Sequence, residues 1–86
     1  AGDYSIAMGH SAEADTIYSI AIGNGAKASA QDAVSLGYYN TASGNGSFAV
    51  GYENIASNYY SVAMGNNNTA SGANTFAVGY NSTATA

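Results

Sequence analysis

Hydrophobic and polar positions alternate along this chain in a short phrase that occurs six times: "SIAMG" from Ser5, "SIAIG" from Ser19, "AVSLG" from Ala33, "SFAVG" from Ser47, "SVAMG" from Ser61 and "TFAVG" from Thr75. Each start lies 14 residues after the one before, without an insertion. Counted from these starts, the fifth position is always glycine (Gly9, Gly23, Gly37, Gly51, Gly65, Gly79) and the tenth is always alanine (Ala14, Ala28, Ala42, Ala56, Ala70, Ala84). Alternation at period two, carried by β-branched and aromatic residues, is a strand pattern. Glycine in every period argues against a long helix. The pattern predicts an all-β solenoid of six 14-residue rungs. Each rung has a strand at positions 1 to 5, a turn near 6 and 7, a second strand at about 8 to 12 and a return turn.

Side-chain size assigns the two faces. Positions 1, 3 and 5 hold only Ser, Ala, Thr or Gly, and positions 8, 10 and 12 hold Ala, Asn, Ser, Gly or Thr, as two closely packed sheets require. Positions 2 and 4 point the other way. They carry Ile6 and Met8, Ile20 and Ile22, Val34 and Leu36, Phe48 and Val50, Val62 and Met64, and Phe76 and Val78. The roll is therefore expected to wear its large apolar residues outside. Twelve such side chains, at roughly 1.5–3 kcal/mol each when fully buried, represent on the order of 20–35 kcal/mol of gross driving force. A typical domain has a net stability of only about 5–15 kcal/mol, so a stripe of this size marks an interface.

Charge and composition narrow the partner. Lys27 stands alone against Asp3, Glu13, Asp15, Asp32 and Glu53, for a net charge of -4. With nothing basic to neutralise phosphates, nucleic acid is excluded as a partner. The chain has no cysteine, so neither disulfides nor thiolate metal sites stabilise it. Its apolar runs are far below a membrane span and no charged-then-apolar leader opens it, which reads as a soluble, mature segment.

The "S-V-A-M-G" and "T-A-S-G" blocks at 14-residue spacing resemble the head repeats of trimeric autotransporter adhesins, the YadA-like haemagglutinin repeats of bacterial surface proteins. The resemblance runs from Ser5 to Ala86, and the preceding residues fit the tail of an earlier rung. It implies a left-handed parallel β-roll assembled as a homotrimer about a central axis, with the apolar faces packed together. Neither the hand nor the number three follows from composition, and generic crossover chirality favours the right hand. The resemblance also implies cell-surface adhesion, with host matrix proteins, glycans or cell-surface receptors as partners. Contact with a bacterial outer membrane would run only through an anchor outside this chain. The neck, stalk and anchor usual in such adhesins are not among these residues, so residues 1–86 are expected to be a single head-repeat domain from a longer protein. The alternative is an extracellular structural filament whose subunits stack end to end.

Chemistry has little foothold. His10 is the only histidine, no nucleophile motif accompanies it, and Glu13 with Asp15 reads as a solvated pair; the expectation is a non-enzyme with no cofactor and no metal. The glycine column reads as a structural turn, because no helix follows it to hold a phosphate. Asn40, Asn54 and Asn68 recur at one position and read as a ladder of stacked amides. The sequons that begin at Asn45, Asn67 and Asn81 use residue types that dominate the repeat anyway. Of eight tyrosines, Tyr38, Tyr52 and Tyr80 at position 6 and Tyr4, Tyr18 and Tyr60 at position 14 are expected to seal the rim of the apolar face. Tyr39 and Tyr59 fall at turn apices and are the candidate ligand contacts. Rows at two outward positions (Thr41 and Ser43, Ile55 and Ser57, Thr69 and Ser71, Thr83 and Thr85) suggest an ice-binding hydroxyl face as a minor alternative, with its first column interrupted by Ile55, Lys27 and Glu13.

Overall fold

Strict alternation within a 14-residue period produces strands that stack directly on their own repeats. A computed structural model describes residues 4–85; residues 1–3, assigned above to an earlier rung, and Ala86 lie outside the described residues. The described residues form a parallel β-solenoid of six turns without a helix. The long strands are β1 (Ile6–Met8), β3 (Ile20–Ile22), β5 (Val34–Tyr38), β7 (Phe48–Tyr52), β9 (Val62–Asn66) and β11 (Phe76–Tyr80). The short ones are β2 (Glu13–Ala14), β4 (Lys27–Ala28), β6 (Thr41–Ala42), β8 (Ile55–Ala56), β10 (Thr69–Ala70) and β12 (Thr83–Ala84). The odd-numbered strands make one parallel six-stranded sheet and the even-numbered strands a second. Register is one period throughout: Ile6 pairs with Ile20, Val34 with Phe48 and Val62 with Phe76.

The second strand of each rung is much shorter than the expected span of positions 8 to 12. It covers positions 9 and 10 alone, while four of the first strands extend to position 6. The cause lies in the corners. The described residues at positions 7 and 14, which lie seven apart, adopt the left-handed conformation, with φ from 52° at Tyr39 and Tyr60 to 71° at Gly25 and Gly46. Their N–H groups continue the inter-rung ladder around the bend, as in Tyr39 N–H to Asn24 O (2.8 Å) and Tyr60 N–H to Asn45 O (2.9 Å). Each corner therefore remains hydrogen-bonded to the rung beneath it.

The interior holds no apolar side chain larger than alanine among the described residues; its largest fully buried side chains are Asn40, Asn54 and Asn68. Asn54 Nδ2 donates to Asn40 Oδ1 at 2.9 Å, to Val50 O at 2.8 Å and to Gly65 O at 2.9 Å. Asn54 Oδ1 accepts from the Asn68 backbone N–H at 2.9 Å and from Asn68 Nδ2 at 3.1 Å. A polar column of this kind is tolerated because its members satisfy one another. Serine hydroxyls at position 1 close the return turns, as Ser61 Oγ does on Asn58 O at 2.8 Å.

The fifth-position glycines differ from the interior placement read from their size. Gly37 and Gly65 are exposed and Gly51 is half-buried, with φ of 115°, 119° and 124°. A Cβ on Gly37 would strike the carbonyl oxygen of Gly51 and lie 2.9 Å from Asn40 Nδ2. Backbone conformation and close approach to the next rung, rather than burial, explain the column.

Candidate functional site

Alternation along the odd-numbered strands turns position 3 inward and positions 2 and 4 outward, so Ala21, Ser35, Ala49 and Ala63 are buried while their neighbours are not. The outward residues form two columns. Ile6, Ile20, Val34, Phe48, Val62 and Phe76 stand in one, and Met8, Ile22, Leu36, Val50, Met64 and Val78 in the other. Neighbours within a column are about 4.8 Å apart along the roll, and the columns are about 7 Å apart. Adjacent rungs shield the middle of the stripe, so Val34, Leu36, Phe48, Val50, Val62 and Met64 are half-buried. Toward the ends the residues are open, with Met8 58% and Phe76 67% exposed. This face is a continuous apolar band on a roll whose own interior has no room for it.

Tyrosines flank the band. Tyr38 and Tyr52 leave adjacent strands in register and stack with centroids 4.9 Å apart and planes 7° from parallel. On the opposite margin Tyr4 and Tyr18 stack at 5.6 Å. Desolvation raises the Tyr38 phenol above its ordinary value of 10.0, and Tyr39, Tyr52 and Glu53 push in the same direction. The fold thus favours the neutral phenol. Its contribution to stability is full below the ordinary value and is lost as pH rises through the raised one. Alkaline ultraviolet titration should show a late tyrosine component above pH 10.0 that disappears in Tyr38→Phe; an unchanged profile would remove Tyr38 as its source.

The two candidate contact tyrosines sit in different settings. The Tyr39 ring lies over the backbone of Gly25 on the rung below, where an added Cβ would come within 2.5 Å of it, and meets Tyr38 edge-on at 4.4 Å. It therefore has a packing role that its place in the sequence did not reveal. Tyr60 covers Gly46 in the same manner. Tyr59 is 57% exposed, beside an open depression lined by Ser43, Gly44, Asn45, Ser57 and Asn58. Its neighbour Asn58 is braced by Nδ2 on Ser71 O at 3.2 Å and by Oδ1, which accepts from the Tyr59 N–H at 2.8 Å.

Of the charged residues, Glu13 and Lys27 stand side by side in register on β2 and β4. Glu13 and Asp15 are exposed, and exposed His10 makes a 3.3 Å contact with Ser11 Oγ. Among the described residues no three of His, Cys, Asp or Glu gather to hold a metal ion. Of the hydroxyl rows, only position 9 lies within a strand; Ser43, Ser57 and Ser71 follow strand ends.

The family model described as YadA head domain repeat (2 copies) matches residues 1–26, 28–54 and 56–86, three stretches that together cover nearly all of the chain. The chain belongs to the YadA head repeat family. No curated protein and no solved structure matches it. Heads of this family are adhesin modules of trimeric autotransporters, extracellular and not enzymes, and they bind host factors. Each matched stretch takes in about two of the six rungs, so the match follows the stacking seen in the fold.

Proposed function

We propose that this chain is the trimeric head segment of a bacterial cell-surface adhesin. Three rolls, left-handed as the family resemblance implies, pack their apolar bands about a common axis. The observation that carries this reading is the inversion of the roll: small and amide side chains inside, a band of twelve large apolar residues outside. Burying the bands against one another in a closed cyclic assembly removes them from water. The second sheet and the turns then face outward on a rod whose longest dimension is 30 Å per chain. A host matrix protein, a glycan or a cell-surface receptor would bind this outer surface through weak contacts repeated on each copy, which multivalency amplifies. An anchor elsewhere in the parent protein would hold the rod at the outer membrane.

Tyr39 and Tyr59 are the proposed ligand contacts. Beads carrying the assembled chain should adhere to immobilised matrix proteins or glycans. Tyr59→Ala should cut retention about three- to tenfold, the scale of one lost aromatic contact of roughly 0.5–1.5 kcal/mol. Tyr39→Ala should do the same with an added structural cost, because it also uncovers Gly25. Retention at the parent level in both variants, with assembly intact, would remove the two tyrosines from the binding surface. Beads that bind none of these surfaces would count against the adhesive reading.

A further inference from the structure

Along the two margins of the apolar band the tyrosines follow a pattern that stacking within one margin does not set between margins. At the edge where the chain enters each long strand, position 14 supplies Tyr4, Tyr18, Asp32, Gly46, Tyr60 and Asn74 in rung order. At the edge where it leaves, position 6 supplies His10, Asn24, Tyr38, Tyr52, Asn66 and Tyr80. On every one of the six rungs, one margin carries a tyrosine and the other does not. Three tyrosines on each margin achieve full complementarity in about one of twenty arrangements. The two margins of a rung are six residues apart, about 20 Å in a strand, so neither can select the other within a chain.

In a cyclic assembly about an axis along the roll, the leaving edge of one protomer faces the entering edge of the next, and rotation keeps equal rungs at equal height. We infer that the tyrosine margins are the two halves of a self-recognition contact in which each rung sets a tyrosine of one copy against a smaller residue of its neighbour. This inference rests on the cyclic assembly proposed above and concerns how the copies find their axial register. His10, Asn24, Asp32, Asn66 and Asn74, opposite five of the six tyrosines, each offer a phenol a hydrogen-bond acceptor. The sixth, Tyr52, meets Gly46, over which Tyr60 of that copy already leans. A slip of one rung would leave Asn24 facing Asp32 and Asn66 facing Asn74, two places without a tyrosine. The contact therefore favours equal rungs, which a uniform apolar band alone does not.

The test moves one tyrosine across the contact. Asn66→Tyr crowds Tyr60 of the neighbouring copy and should raise the concentration at which the assembly dissociates by about tenfold or more, as overpacking does. Adding Tyr60→Asn restores one tyrosine on that rung and should recover most of the loss. Tyr60→Asn alone measures the cost of uncovering Gly46. Asp32→Tyr with and without Tyr38→Asn repeats the test on another rung, in case the first variants fold poorly. Recovery by either swap supports the contact. Single variants that assemble like the parent, or folded swaps as weak as the single variants, overturn it. A parent chain that is monomeric by light scattering refutes the cyclic assembly itself, a separate result from failed recovery in a trimer that forms.

Discussion

Asn54→Ala is expected to cost the roll a large part of its stability, although it removes only a polar side chain. The two N–H groups of Asn54 Nδ2 are shared among three acceptors and its Oδ1 accepts two hydrogen bonds, all inside the roll, and they link the third, fourth and fifth rungs. At about 1 kcal/mol net for each bond, and more where a buried partner is left unpaired, the loss is about 5 kcal/mol or above. That is comparable to the whole stability of a small domain. Alanine fits the space but cannot donate to Val50 O and Gly65 O or accept from the Asn68 N–H. Thermal unfolding followed by circular dichroism should show a loss of at least about 20 °C. Ser57→Ala, on the exposed side, should stay within about 0.5 kcal/mol of the parent. A small shift in Asn54→Ala would show that the ladder follows from the fold and does not hold it.

Leu36→Asp should have the opposite signature, with the rung intact and the assembly lost. Leu36 lies in the middle of its column, between Ile22 and Val50, and points away from the alanine interior. Its replacement disturbs no bond inside the roll. In the proposed assembly, however, the carboxylate enters an apolar contact once per copy, and an unpaired charge there costs several kcal/mol each time. The β spectrum should persist while the mass in solution falls to the 8.6 kDa of one chain. An assembled Leu36→Asp variant would place the band outside any interface.

How much of this was legible in the sequence depended on which signal each feature leaves. The outward band could be read because side-chain size alternates at period two, and Phe48 beside Ala49 beside Val50 allows only one orientation. The amide ladder could be read because Asn40, Asn54 and Asn68 recur at a fixed position. The corners could not. Left-handed residues recur at positions 7 and 14, but Tyr4, Tyr18, Tyr39 and Tyr60 occupy several of these places, and aromatic residues seldom adopt that conformation. The usable signal was six of the other eight places in the two columns, where Gly25, Asp32, Gly46, Asn67, Asn74 and Asn81 are residue types that tolerate positive φ. Missing it lengthened the expected second strand. The packing of Tyr39 on Gly25 was hidden for a related reason: the 14-residue period puts the two on neighbouring rungs, but only the left-handed corner turns the ring onto the glycine.

Light scattering across a wide range of concentrations tests the central claim most directly, because the claim is that the outward apolar band is covered by other copies of the chain. The account predicts a concentration-independent mass three times the 8.6 kDa of one chain. A stable monomer would contradict it, leaving twelve large apolar side chains in water. A mass that grows without limit would replace the closed trimer with an open filament.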